Sequence, residues 1–444
     1  SSLMGVRQGE NLSPVLFSLY LNDLESALVK DDNGVIIDFS RDDVTHFLKI
    51  LILLYADDTV IIGVNKSSFQ RCLNDFNIYC QTWKLKVNLS KTKVIVFGTN
   101  KPSLYQFTLN GQLLETVKEY KYLGVIFSST CSFLASRKHA VSQANKAMNL
   151  LYMRINNLAL PLDLQIKLFD HTILPILTYG SEIWGFENLD LIEFVHVNFL
   201  RKITKTRRST PRYMLYAGLG RYPIEITIKS RMVNFWNKLF QSKVSKFSYI
   251  CYKHMLQSQH FFKWPAFIKH VLDSTGNSFL WLNQERIQYK NLGLLIKEVF
   301  IDQYKQQWFT SLDNSSKGKM YKSFKETIQF EEYLKILPNN LRIPLFHFRT
   351  GNHWFICETG RWTQSFVPHE NRLCPICNTG ELGCEFHYLL VCSHFESKRR
   401  ILLPSKFLNR PNVYIFKELL NSTNYEILVN LCTFVKHIIN HFKR

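Results

Sequence analysis

No long uninterrupted apolar run occurs in this chain of 444 residues. The longest, Phe47 to Val64, is cut by Lys49, Asp57 and Asp58, and a bilayer centre admits each such charge only at a cost of ~2.5–3.5 kcal/mol. That excludes a membrane span, and no segment reads as a signal peptide. A disulfide framework is also missing. The ten cysteines are scattered, apart from one cluster near the C-terminus, which fits a reducing, intracellular setting in nucleus or cytoplasm. The Asn-x-Ser/Thr sequons at Asn88, Asn314 and Asn421 then read as chance. Acidic residues are scarce: 35 Asp and Glu stand against 55 Lys and Arg, a net charge of +20. Such a balance is the footprint of a polyanionic partner, nucleic acid before membrane, with mere solubility as the competing reading. An initiating methionine is absent as well. The chain starts at Ser1 and runs straight into a motif, so the expectation is the back part of a longer protein.

What is present supports packed interiors. Hydrophobic residues make up 46% and aromatics 14%, and the length leads us to expect two to four domains. The central stretch is Leu51 to Gly63, LILLYADDTVIIG. Its two runs of branched residues predict short buried strands, with Tyr55-Ala56-Asp57-Asp58 as the turn of a β-hairpin. Adjacent carboxylates at the tip of a greasy hairpin are costly, and hard oxygen ligands are what Mg²⁺ takes. A polar turn is the plain reading of Asp-Asp alone; the Tyr-Ala prefix and the apolar flanks favour a metal site.

Before the hairpin, Arg7-Gln8-Gly9 forms a loop feeding a helix. Gly9 lets a ligand approach the backbone, and Gln8 both donates and accepts. Ser13 is the expected N-cap with Pro14 at the first turn, and Leu12, Leu16, Leu19, Tyr20, Leu24 and Leu28 recur at helical spacing. After the hairpin, Ser67 or Ser68 is expected to cap a helix whose stripe is Phe69, Cys72, Leu73, Phe76, Cys80 and Trp83. Strands are expected at 94–97, 106–109 and 120–127, the last interrupted by Tyr122-Leu123-Gly124. This order of helices and short antiparallel strands predicts an α+β layer.

Arg7-Gln8-Gly9-x-x-x-Ser13-Pro14, Tyr55-Ala56-Asp57-Asp58, Asn88-x-x-Lys91-Thr92 and Tyr122-Leu123-Gly124 resemble, in order and rough spacing, the reverse transcriptases of non-LTR (LINE-type) retrotransposons. The resemblance implies a partial right-hand polymerase palm. Asp57 and Asp58 would hold two Mg²⁺ ions, Tyr55 and Ala56 would pack beneath the primer end, and Arg7, Gln8 and Gly9 would line the nucleotide and template pocket. Lys91 would neutralise the leaving pyrophosphate, and Tyr122, Leu123 and Gly124 would form the primer grip. Its implied partners are an RNA template, a DNA primer and deoxynucleotide triphosphates, with no membrane. The family's palm also uses an Asp on an earlier strand, upstream of Gly5. The expectation is therefore a fragment lacking fingers and first palm strand, inactive alone and completed by the N-terminal part of the same polyprotein.

From Ser136 onward the pattern turns helical, with Ala140, Ala144, Ala147, Met148 and Leu151 in one stripe and Leu164, Ile166 and Phe169 in the next helix. The segment Leu174 to Gly185 resembles the one that follows the palm in LINE-type proteins, its aromatics read as core. Arg201, Lys202, Lys205, Arg207 and Arg208 form a basic run; phosphate contact in a thumb and a solvated helix face are equally weighted readings. Residues 240–345 show helical patterning without recognisable chemistry.

Cys374, Cys377, His387 and Cys392 form a C-x2-C-x9-H-x4-C array, the spacing of a closed structural Zn²⁺ site. Cys384 and His394 are spare donors. The array, with Arg349, His353 and Glu358-x-Gly360-Arg361 upstream, resembles the C-terminal zinc knuckle of LINE-type reverse transcriptases, and Arg361, Arg372 and Lys398-Arg399-Arg400 add positive charge. A final helix over 425–444 is expected to dock. The division expected is 1–130 palm, 131–240 thumb-like, 241–345 helical connector and 346–444 zinc-knuckle domain. Two functions follow: RNA-directed DNA polymerase, or a non-catalytic nucleic-acid-binding remnant acting through thumb and knuckle. A zinc-ribbon module for protein partners is a distant third.

Overall fold

The leucine repeat at the start does not make one helix. In the computed structural model, which describes residues 12–28, 34–41, 44–55, 58–99, 101–158, 160–241, 247–257, 262–284, 289–362 and 366–442, it forms α1 (Ser13–Tyr20) and α2 (Leu24–Leu28). The break is fixed by Asp23, whose Oδ1 accepts a 2.6 Å hydrogen bond from the Tyr79 hydroxyl. The expected single stripe is therefore corrected. Leu21, Leu24 and Leu28 are buried, whereas Leu12, Leu16 and Leu19 lie exposed.

The described chain divides into two compact units, Ser1–His139 with Gly180–Glu187 and Arg231–Leu292, and Ala140–Tyr179 with Asn188–Ser230 and Gly293–Arg444. In the first, β1 (Val35–Arg41) and β2 (Val44–Ile50) form an antiparallel hairpin that sequence patterning missed. Next come β3 (Ile52–Tyr55) and β4 (Asp58–Ile61), paired Ile52 to Ile61 through Tyr55 to Asp58. Leu51 is buried against α2 and α3 (Lys66–Thr82), with Ile52 and Ile61 packed on the same cluster. Each such residue withdrawn from water contributes about 1.5–3 kcal/mol. The helix α3 is capped by Asn65, whose side chain accepts from the Ser68 N–H at 2.9 Å, rather than by a serine. Gly63 is required where β4 meets α3, because a Cβ there would stand 2.7 Å from Phe69 Cβ.

Three further strands, β5 (Lys93–Ile95), β6 (Phe107–Leu109) and β7 (Gln112–Val117), share a sheet of order β5-β7-β6, with Val94, Phe107, Leu109 and Leu114 in its core. A last hairpin joins β8 (Glu119–Tyr122) to β9 (Val125–Ser128). Helices over short, mostly antiparallel sheets make the architecture α+β. The later part of this unit is an aromatic core: the indole N–H of Trp236 donates to Tyr252 Oη at 2.9 Å, and Phe240 meets Tyr249 and Tyr252 edge-on.

The second unit is helical. In the helix Asp190–Thr204, His196 is fully buried between Phe169 and Tyr216, with ring centroids 5.5 Å away on each side. Its Nδ1 meets Glu193 Oε1 at 2.9 Å, and Glu193 also accepts from the Tyr216 hydroxyl and from the Ile224 N–H at 2.7 Å. The helix Asn339–Arg349 ends in a buried guanidinium: Arg349 pairs with Glu331 at 2.9 Å and donates to the Leu420 carbonyl at 2.7 Å. The terminal helix, Tyr425–His441, docks against it with Leu428, Leu431, Phe434, Val435 and Ile438 buried. Of the aromatics read as core in the 174–185 segment, Trp184 is buried but Tyr179 is exposed. Among the described residues no helix is long and apolar enough to cross a membrane.

Candidate nucleic-acid and metal sites

The β3–β4 hairpin is tighter than the spacing predicts. Tyr55 and Asp58 are the last paired residues, so both belong to the strands and not to the turn. Ala56 and Asp57 lie outside the described residues, as do Arg7, Gln8 and Gly9. Nor are the strands buried throughout: Leu53, Leu54 and Tyr55 are exposed, because among the described residues β3 pairs with β4 alone. Asp58 is exposed at the tip.

Two other sequence motifs are connected through β8. Tyr122, at the end of β8, feels the Asp58 charge; burial first, then that carboxylate, pushes its phenol upward. Beyond Tyr122, Leu123 and Gly124 turn the chain with φ of 46° and 84°. Two consecutive positive φ values suit the right-handed twist of a two-residue hairpin, and a leucine there is strained by about 1–3 kcal/mol. The third motif, Asn88 to Thr92, is a tight turn in which Asn88 Oδ1 accepts from Ser90 Oγ at 2.7 Å and its carbonyl from the Thr92 N–H at 3.0 Å. The turn presents Lys91 to solvent, and the Tyr120 hydroxyl donates to the Lys91 carbonyl at 3.5 Å. Strand β8 thus touches both the lysine turn and the surroundings of Asp58.

The cysteine array converges. One donor atom from each of Cys374, Cys377, His387 and Cys392 lies within 4.8 Å of every other, a set whose number and softness fit Zn²⁺. Cys374 and Cys377 come from a turn closed by the Cys374 N–H donating to the Glu381 carbonyl at 2.7 Å. His387 opens a π-turn, His387–Val391, that replaces the expected regular helix and delivers Cys392 at its end. His387 Nε2 faces Cys377 Sγ at 3.3 Å, while Nδ1 meets Glu381 Oε2 at 2.9 Å. A carboxylate on the far nitrogen fixes the tautomer and turns Nε2 toward the cluster. Burial opposes ionisation of Cys377, yet hydrogen bonds from Thr379, Cys374 and His387 draw its thiol down to about 6. Of the spare donors, Cys384 lies by Glu385, and His394 stacks near His441 at 4.8 Å.

Sequence reasoning missed Glu381; a carboxylate six residues before a ligand histidine was its only signal. Two cations credited to a nucleic-acid grip are structural instead. Arg399 is buried and donates to the Leu389 and Cys392 carbonyls, each at 2.8 Å, and Arg372 donates to the Cys357 carbonyl at 2.8 Å. A second buried group, His353, Cys357 and Glu385, satisfies itself: His353 Nε2 donates to Glu385 Oε1 at 3.0 Å while its Nδ1 accepts from the Phe355 N–H at 3.4 Å.

The basic run splits. Arg201 donates to the Arg208 and Thr210 carbonyls at 3.0 and 3.1 Å, closing its own loop. Lys202 sits over the Tyr152 ring at 3.5 Å, and Arg207 over Trp354 at 3.8 Å. Lys205, at the helix end with φ of 54°, and Arg208 are exposed.

Comparison with known proteins bears on the first of these sites. Residues 2–127 match the family described as reverse transcriptase (RNA-dependent DNA polymerase). The chain is 28% identical over 224 residues to the RNA-directed DNA polymerase from mobile element jockey of Drosophila funebris, covering 47% of this chain and 22% of that protein. The jockey protein of Drosophila melanogaster is 26% identical with the same coverage. The retrovirus-related Pol polyprotein from type-1 retrotransposable element R2 of Popillia japonica is 31% identical over 137 residues, covering 28% of this chain and 21% of that protein. The chain thus spans about a fifth of the length of the curated relatives it matches. Residues 2–127 are thus similar to the reverse transcriptase family, and the relatives named for mobile element jockey are RNA-directed DNA polymerases.

Proposed function

We propose that this chain takes part in RNA-templated DNA synthesis, as the metal-bearing part of a polymerase palm with a helical thumb and a zinc-stabilised C-terminal module. The observation that carries the reading is the placing of motifs along β8: Tyr120 donates to the Lys91 carbonyl at 3.5 Å, and Tyr122 ends the strand within electrostatic reach of Asp58. Asp57 and Asp58 hold the divalent cations. When bound, Mg²⁺ offsets phosphate charge and lowers the pKa of an attacking primer hydroxyl. Tyr55 and the strained Leu123–Gly124 turn position the primer end, Arg7, Gln8 and Gly9 hold nucleotide and template, and Lys91 neutralises the departing pyrophosphate. Such chemistry asks for positioning and for cations on developing charge, which these residue types supply.

Cys374, Cys377, His387 and Cys392 hold Zn²⁺ in a closed, structural role, since four protein donors leave no open position. The exposed Lys205 and Arg208 are the phosphate contacts of the thumb. A second reading, nucleic-acid binding without catalysis, is supported by the net charge of +20 and the exposed Lys205 and Arg208. Extension of a DNA primer on an RNA template by the full-length natural protein separates the two. Mg²⁺-dependent incorporation supports the polymerase; tight template–primer binding with zinc loaded and no incorporation leaves only the binding protein.

A further inference from the structure

A cavity of about 120 Å³ opens in the second unit, lined by Arg207, Lys317, Asn352, Glu358, Arg361 and Trp362 among others. Three cations converge on it against one carboxylate. Glu358 is already engaged, Oε1 accepting the Gly318 N–H at 2.8 Å and Oε2 meeting Arg361 at 3.4 Å. Among the described residues Lys317 Nζ has neutral hydrogen-bond partners, the Ser209 carbonyl at 3.0 Å and hydroxyl at 3.4 Å. Among the described residues Arg207 pairs with no carboxylate; its guanidinium carbon sits 3.8 Å over the Trp354 ring. Burial disfavours the Lys317 ammonium most, Glu358 favours it, and the neighbouring Arg361 and Arg207 charges add smaller opposition. Cations held together against their mutual repulsion in a concave site are relieved by an anion.

The rim says which anion. Trp354 and Trp362 are 41% and 59% exposed, their rings 5.6 Å apart. Exposed indoles beside a cationic pocket are what single-stranded nucleic acid uses, since its unstacked bases offer a π-face next to each phosphate. The cavity is well below the ~300–1,000 Å³ that engulfs a small molecule, so a phosphate enters while the base remains at the rim. We propose that this cavity binds one backbone phosphate of single-stranded RNA or DNA, held by Arg207, Lys317 and Arg361, with a flanking base stacked on Trp362. The assignment stands on the cavity and does not depend on the palm.

The test is fluorescence anisotropy of the full chain with labelled oligo(dT) and oligo(U) over a series of salt concentrations. Three variants are compared: Arg361→Gln, Trp362→Ala and Lys436→Gln, the last an exposed charge-matched change on the terminal helix. Losing one phosphate contact lowers the slope of log affinity against log salt by about 0.7 for single strands, so Arg361→Gln should bind about tenfold more weakly with that shallower slope. Trp362→Ala should also weaken binding about tenfold, since stacking on an aromatic contributes ~1–3 kcal/mol per base, but with the slope unchanged. An abasic oligonucleotide should abolish the Trp362→Ala effect. Lys436→Gln should bind as the parent does. Wild-type affinity and slope in folded, zinc-loaded Arg361→Gln and Trp362→Ala would overturn the proposal, as would no binding by the parent. Inorganic phosphate displacing the oligonucleotide stoichiometrically at equal affinity would reassign the cavity to free phosphate and overturn it too. None of these failures touches primer extension, and failed extension leaves the cavity assignment intact.

Discussion

Glu381 shows how one residue outside a motif completes it. The four donors fix what can bind, but the 2.9 Å hydrogen bond to His387 Nδ1 fixes which nitrogen faces the ion. Removing such an outer partner typically weakens metal affinity about 10–100-fold. Glu381→Gln should therefore loosen zinc by that factor in competition with a chromophoric chelator while the fold at saturating zinc is kept; unchanged affinity would mean the hydrogen bond is incidental. Glu193 and His196 set a pH dependence. Burial lowers the His196 pKa against the pull of Glu193, so the unfolded chain takes up a proton below about 6.5 that the folded one refuses. Burial works against ionisation of Glu193, but hydrogen bonds from His196, Tyr216 and Ile224 outweigh it and hold the carboxyl below its usual 4.5. Both groups favour the folded state at neutrality and lose that contribution as pH falls. Thermal midpoints measured from pH 7 to 5 should fall in the parent and fall less in His196→Gln, whatever its absolute stability; parallel curves would contradict the assignment. The donor array could be read from the sequence because its signal is local spacing. The Glu193–His196 pair could not, because its partners Tyr216 and Ile224 arrive from elsewhere in the chain.

At the scale of elements, the β3–β4 hairpin was legible and its details were not, while the β1–β2 hairpin was missed. Runs of branched apolar residues located β3 and β4, yet the register that places Tyr55 opposite Asp58 depends on a turn whose length composition does not set. The helix break at Leu21–Asp23 depends on Tyr79, more than fifty residues later, and could not be read from the leucine spacing. Buried cations misled for the same reason: Arg372 and Arg399 look like surface charge in sequence, and only the carbonyls they reach make them core. Leu123 carries the clearest consequence. A leucine at φ 46° is strained, and glycine there removes the Cβ clash. Leu123→Gly should leave the fold intact and raise stability, by about 1 kcal/mol at most because glycine also loosens the unfolded chain. If the turn grips a primer, the same change should raise the KM for primer–template more than it lowers kcat. Lower stability would show that the leucine side chain packs in a way its exposure does not suggest.

On the scale of the whole molecule, the charge of +20 was readable from composition and the α+β class from the order of helices and strands, in a chain whose residues 2–127 match the reverse transcriptase family. The division into two interleaved units was not, since Gly180–Glu187 and Arg231–Leu292 join the first unit across long sequence gaps. Aromatic residues at 236–281, which carry no motif, form a core that periodicity alone does not single out. The central claim is that the Tyr55–Asp58 hairpin holds catalytic metal. Asp57→Asn in the full-length natural protein tests it most directly, by single-nucleotide extension of a DNA primer on an RNA template alongside template–primer binding. Extension should be lost with binding nearly unchanged, because a metal ligand is removed and no groove contact is. Extension by the variant at a rate comparable to the parent would contradict it.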